Sequence, residues 1–176
     1  MNEIPKILEP REKVAWESKP RYAAYMVWVF FGGIVGGGVG GFFVGMLLNS
    51  LVVGLIVGIA VFAFSLFWGN LAYNVTHYAI TNKRVILQKG VIGRDFRSIE
   101  YDKIQNASVN VGLIGVIFHV GRVNMFTGEL ISTGGKHPHL RPKYDTLRYV
   151  RKPYDVLKLL QRHLSSRKEK LYGGKY

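Results

Sequence analysis

From Tyr22 to Asn82 the chain carries no Asp, Glu, Lys or Arg, and that gap decides most of what it can fold into. Inside the gap two apolar segments lie back to back, residues 22–48 and 51–73, parted only by Asn49 and Ser50. A helix rises about 1.5 Å per residue, so about 20 apolar residues cross a hydrocarbon layer roughly 30 Å thick. Both segments are long enough, and so short a break forces them to reverse at once as an antiparallel pair. The rest of the chain is too small to bury two such helices inside a soluble core. The expectation is a two-helix transmembrane hairpin over residues 22–73.

Charge orients this hairpin. Of the 24 Lys and Arg, 5 precede the gap and 19 follow it, against 4 and 7 of the acids, so most of the net +13 lies after the hairpin. Arg11, Lys13, Lys19 and Arg21 flank one end, Lys83, Arg84 and Lys89 the other, and the turn has no cation. Cationic flanks stay on the cytoplasmic side, so a multi-pass protein of the cell membrane with both termini cytoplasmic is expected. Tyr22, Tyr25 and Trp28 on the first helix and Trp68 and Tyr73 on the second mark the inner interface. Residues 1–21 mix acids, bases and Pro5, Pro10 and Pro20, unlike a cleavable signal peptide, and are expected to remain as a cytoplasmic N-terminal segment.

Glycine spacing in the first helix is more specific. Gly33, Gly37, Gly41 and Gly45 recur every fourth residue, and Gly32, Gly36 and Gly40 form a second row on a neighbouring face. The second helix adds Gly54 and Gly58. Small residues at this spacing let backbones approach closely, which is how helices associate where lipid gives no hydrophobic drive. One row serves the hairpin. The other is open to a second copy or another membrane protein, or to a wide intramolecular contact near residues 36–38.

Beyond the hairpin the texture is that of short strands, at 75–81, 84–89, 94–101, 104–111, 116–126 and 146–151, rich in Val, Ile, Tyr and Phe. Residues 128–145, with Gly134, Gly135, Pro138 and Pro142, read as a long loop. Pro153 opens a helix to about Leu164, with Asp155 in its first turn and Val156, Leu157, Leu160 and Leu164 as its apolar stripe. These elements make a mainly β domain over 74–165, a small barrel or sandwich capped by the 153–164 helix, followed by a mobile basic tail, 166–176.

The order of motifs within this domain resembles the bacterial pleckstrin-homology-like domain of membrane-flanked proteins, of the DUF304 type. Tyr78, Ile80, Thr81, Asn82 and Arg84 match its opening; Gly90 its hairpin; Ile99, Asp102, Lys103, Ile104 and Gln105 its next block. Gly112 to Gly115 match a turn, and Phe118, Gly121 and Val123 the aromatic and Gly-x-Val that follow. The N-terminal Glu12-Lys13-Val14-Ala15-Trp16 run through Pro20 is similar to the element that precedes the helices in such proteins. The resemblance implies a membrane-tethered interaction domain without catalytic activity, and does not carry phosphoinositide binding with it. The loop at 128–145 is longer than the pattern, so no partner contact there transfers.

Residue by residue, chemistry is not indicated. With no cysteine, disulfides, thiolate metal sites and thiol catalysis are excluded. His137 and His139 form an H-x-H pair, but Lys136, Arg141 and Lys143 would repel a metal ion, so solvated histidines are expected. His77 reads as an interfacial packing residue and His119 as a strand residue. Gly134-Gly135-Lys136 lacks the strand, spacing and hydroxyl of a phosphate-binding loop. No catalytic, metal or cofactor residue is therefore named.

Thr81 and Asn82 suit a tight turn that projects Lys83 and Arg84 outward. Juxtamembrane cations attract anionic lipid, which makes Lys83, Arg84, Lys89, Arg94 and Arg97, with Arg167, Lys168 and Lys170 of the tail, candidate headgroup contacts. Plain solvation explains them equally well, and no nucleic-acid motif accompanies them. Val91 and Ile92, between Gly90 and Gly93, form an apolar tip that would dip into the interface, meet a partner or fold back. The functional expectation is a membrane-anchored binding or scaffold protein, in contact with anionic lipid or a docked protein and self-associating. The alternative is an accessory subunit of a transport or secretion complex that docks through its glycine-rich helices. A channel is disfavoured, since the spans hold no ionisable residue to line a path.

Overall fold

The computed structural model describes residues 2–93, 95–134 and 139–172. Two long helices, α1 (Tyr22–Leu47) and α2 (Leu51–Val75), form the hairpin. Asn49 adopts the left-handed conformation at φ 49°, and the Ser50 hydroxyl accepts from the Val53 amide at 3.4 Å, capping α2. Both helices are apolar enough to cross a membrane. Their outward surface is oily: Phe31, Phe42, Phe43, Leu51, Ile56 and Phe64 are exposed.

Among the described residues, seven strands follow the antiparallel pattern of a two-sheet sandwich. The first sheet is ordered β1 (Val14–Ser18), β2 (His77–Thr81), β3 (Arg84–Lys89), β4 (Asp95–Glu100). The second is ordered β5 (Asn106–Asn110), β6 (Val120–Thr133), β7 (His139–Arg151). The sheets do not join into a closed barrel, so of the two expected forms the sandwich is the one found. Tyr78, Ile80, Val85, Leu87 and Ile99 of the first sheet meet Val123, Met125, Leu147 and Val150 of the second. The terminal helix α4 (Pro153–Tyr172) closes the core with Val156 and Leu160. The interior is dry enough that burial pushes the Tyr78 hydroxyl up to about 12.

Several expectations need correction. The N-terminal stretch set apart at 1–21 is built into the domain: β1 pairs with β2, and a 3-10 turn at Ile4–Ile7 covers the outer face of the first sheet, burying Ile4 against Ala79 and Ile86. The described part of 128–145 is not a loop but two strand arms, paired from Leu130 with Pro142 to Thr133 with His139. Pro142 is tolerated because β7 is an edge strand and need not donate there. The strand expected from residue 116 starts at Val120, because Leu113–Phe118 form a short helix, α3, that ends on His119 at φ 53°. His119 is thus a left-handed helix cap rather than a strand residue. The tail is helical through Tyr172, since residues 165–172 offer no breaker before Gly173. His137 and Pro138 lie outside the described residues.

Candidate functional site

The strand register sorts the first sheet into two ends. His77 follows α2 after one residue and pairs with Gln88, whereas Thr81 sits at the opposite end of β2, paired with Val14. The end holding His77, Gln88 and Lys89 is therefore the foot, next to the hairpin, and the end holding Thr81 to Arg84 is the far end. The domain is clasped to the foot of α1 by Arg21. Its amide donates to the Tyr149 carbonyl at 2.9 Å, and its guanidinium Nη1 donates to the Phe118 carbonyl at 2.5 Å. Tyr25 of α1 also lies edge-on to Tyr149.

At the far end, Arg84 does not project outward. Its Nε and Nη2 donate to the Glu12 carboxylate at 3.1 and 3.0 Å, and Nη2 also donates to the Ile7 carbonyl at 3.0 Å. Glu12 is buried, and its carboxylate also accepts from the Thr81 hydroxyl at 2.7 Å and from the Glu9 amide at 2.8 Å. Burial alone would raise the Glu12 carboxyl; the hydrogen bonds from Arg84, Glu9 and Thr81 outweigh it and hold the group below its ordinary value. Lys83 pairs with Glu9 at 2.8 Å. The far-end cations thus fasten the N-terminal segment, and they sit away from the hairpin. Sequence reading missed this clasp because Glu12 and Arg84 are 72 residues apart.

Arg97, midway along β4, is likewise committed within the molecule. Its Nε lies 2.6 Å from Asp145 and its Nη2 3.0 Å from Glu129, which Lys143 also reaches at 2.8 Å. Lys89, Val91 and Ile92 lie at or beside the foot, because Lys89 pairs with Asp95 there, and Ile92 is 89% exposed. Arg94 lies outside the described residues.

The glycine rows part company. A Cβ on Gly37 would come 2.5 Å from the Gly58 carbonyl oxygen, and one on Gly41 2.5 Å from that of Gly54. Gly45 faces Gly54 in the same seam, and Gly33 faces Ser65, whose hydroxyl donates to the Val29 carbonyl at 3.3 Å. By contrast, a Cβ on Gly32, Gly36 or Gly40 would meet nothing within 4 Å. An apolar cleft of about 790 Å³ runs beside the seam, between Ile34, Phe42, Leu55 and Ile59.

A second hollow, of about 600 Å³, has a different character. It opens between Trp16 and Ser18 of β1, the last residues of β7 and the first turns of α4. Arg151, Lys152, Lys158 and Arg162 line it, against Asp155 as the sole acid of the lining. β1 is an edge strand, and its half-buried Trp16 and its Ser18 stand in the groove beside these cations. No sequence signal disclosed it, since its walls come from both ends of the chain. Among the described residues no three His, Asp or Glu side chains gather as a metal site.

A family model described as "Bacterial PH domain" matches residues 31–168. Among solved structures, a DUF1696 family protein with a pleckstrin-homology domain from Shewanella loihica is similar at 22% identity, over 52% of this chain and 68% of that one, with a TM-score of 0.30. No curated protein matches the chain.

Proposed function

The chain belongs to the bacterial PH domain family, and from that premise we propose that it is a membrane-anchored, non-catalytic docking protein whose partner is an acidic, extended peptide segment. The hairpin anchors it in the cell membrane with both termini cytoplasmic, which the cation-flanked, charge-free spans support. The observation that carries the docking reading is the groove between β1 and α4. An extended segment added to the free β1 edge would gain main-chain hydrogen bonds, while Arg151, Lys152, Lys158 and Arg162 select acidic side chains. Anionic headgroups are a secondary contact, served by Lys89 and the neighbouring tip at the foot.

The alternative, an accessory subunit docking inside the membrane, is favoured by one observation: Gly32, Gly36 and Gly40 face open space on α1, a surface ready for a second copy or another helix. One purification from membranes in mild detergent separates these readings. It uses the full chain, a Lys158→Glu/Arg162→Glu variant and a Gly36→Leu/Gly40→Leu variant. A stoichiometric partner lost from the charge variant alone supports the groove. Loss from the glycine variant alone supports the intramembrane surface. Recovery of the chain in the soluble fraction without detergent would overturn the anchor itself.

A further inference from the structure

The short helix α3 carries its apolar residues on the wrong side for a water-facing element. Leu113, Val116 and Ile117, spaced as one helical face, are 86%, 64% and 69% exposed. Behind them, Gly115 packs against the Val120 carbonyl, so the polar backbone is turned inward and the oily side outward. Location explains the inversion. α3 lies against α1, and its last residue accepts the hydrogen bond from Arg21, the residue immediately before α1 begins.

We propose that α3 is a third membrane contact: an interfacial helix that lays Leu113, Val116 and Ile117 into the cytoplasmic leaflet beside the first turns of α1. The occupant of this face is lipid, because the face continues the exposed apolar surface of the anchor rather than standing apart from it. Tyr22 and Tyr73, packed edge-on at 4.9 Å, set the interface level at the same foot, where amphipathic rings reside. Short apolar faces at this depth reach about 5–10 Å into the headgroup and acyl boundary. Arg21 meets the last residue of α3 in the structure, and Arg122 follows α3 in the chain on β6, paired with Asn110 just before it; their charge suits anionic headgroups. Ile92, exposed on the tip after β3, which itself contacts α2, offers a further foothold. With α3 seated, the groove between β1 and α4 is presented at a fixed height and tilt above the leaflet.

This inference rests on the anchor reading, and the two are tested together but fail separately. The chain has no cysteine, so single-cysteine variants Leu113→Cys, Ile117→Cys, Val35→Cys and Lys103→Cys can each carry one environment-sensitive fluorophore. All four positions are exposed, so labelling leaves the packing intact. The full chain is reconstituted into vesicles of phosphatidylcholine and phosphatidylglycerol containing lipid spin-labelled either near the headgroup or at mid-chain. The expected result is blue-shifted emission at 113 and 117, quenched most by the shallow label. Probes at 35 should respond to the mid-chain label, and those at 103 only to aqueous iodide. If 35 is quenched as expected while 113 and 117 behave like 103, the inference is overturned and the anchor stands. If 113 and 117 are shielded from both lipid labels and iodide, protein covers α3 and the inference is again overturned. If 35 escapes the mid-chain label, the anchor reading falls and takes this one with it.

Discussion

In the hairpin the buried positions are small residues, Ala24, Gly33, Gly37, Gly41, Gly54 and Gly69, and many of the exposed ones are phenylalanines, leucines and isoleucines. In the sandwich the buried positions include Tyr78, Ile80, Leu87 and Leu160, while the outer positions of β5 alternate toward solvent. The two regions follow opposite solvent rules within one chain. Where water surrounds a domain, burying large apolar side chains is the driving force. Where the surroundings are as oily as the side chains, nothing is gained by hiding them, and close backbone contact does the packing instead. The comparison makes each region fragile to a different kind of change: the hairpin to added bulk, the sandwich to an unpartnered charge.

The largest effect is expected from bulk in the seam. Gly41→Leu would drive a side chain into the Gly54 carbonyl, backbone against backbone, with no flexible group able to give way. It should destabilise the hairpin by about 3 kcal/mol or more, the upper end of overpacking penalties, read as a lower unfolding midpoint in detergent. Gly36→Leu places the same bulk where nothing lies within 4 Å and should leave that midpoint unchanged. Equal loss from both variants would show that the Gly36 row is packed as closely as the Gly41 seam, and that the seam does not set the two rows apart.

Next comes charge in the sandwich. Arg84→Ala removes the guanidinium from a buried Glu12 carboxylate, leaving only the Thr81 hydroxyl and an amide as its partners. Breaking a buried pair on one side costs about 3–5 kcal/mol, and the low end is expected because Arg84 is partly solvated. The neighbouring Lys83→Ala breaks only an exposed pair with Glu9 and should cost under about 1 kcal/mol. Chemical denaturation of the full chain in detergent, followed through Trp16, checks the ratio. If Lys83→Ala matched Arg84→Ala, the clasp would be ordinary surface charge.

What was legible in the sequence divides along the same line. The two helices and their seam could be read nearly whole, since apolar length and glycine spacing are local properties, and Gly33 through Gly58 display that spacing directly. Single strands such as Arg84–Lys89 were legible from their alternation and composition. Hidden were the features that depend on distant residues. Val14–Ser18 becomes a strand only because β2 offers it an edge. The arms at 130–133 and 139–142 are held by one another across Gly134 and Pro142, local signals that favour a loop. Leu113–Phe118 is too short for a helical period to be told from a strand, and its two β-branched residues per turn point the wrong way. The groove beneath β1 and α4 is assembled from residues 16–18 and 151–162, a proximity no local pattern encodes.

Acid sharpens the comparison with the smallest but most selective effect. The spans hold no Asp, Glu, Lys or Arg, so the hairpin has no charge to titrate, whereas the sandwich holds several groups whose protonation equilibria are displaced by folding, among them the buried His77 and Glu12. Burial, aided by the nearby charge of Lys19, pulls the His77 imidazole below its ordinary value of 6.5. Glu12 is held below its ordinary value of 4.5. Both shifts are downward, so in each case the unfolded chain binds the proton more readily than the folded one. Their contributions are fully present above those ordinary values and fade as the pH falls through the folded ones. Sandwich stability should therefore decline in two stages, first below neutrality as His77 lags behind its unfolded counterpart, then in the acid range as Glu12 does. His77→Phe should remove the first stage and Glu12→Gln the second. Hydrogen exchange by mass spectrometry resolves peptides from both regions in one sample. Protection across α1 and α2 should hold constant while that of β2 and β3 falls. Parallel loss in the hairpin would mean that the two regions unfold as one unit, and that the Arg21 clasp to Tyr149 and Phe118 transmits the sandwich's charge chemistry into the paired helices.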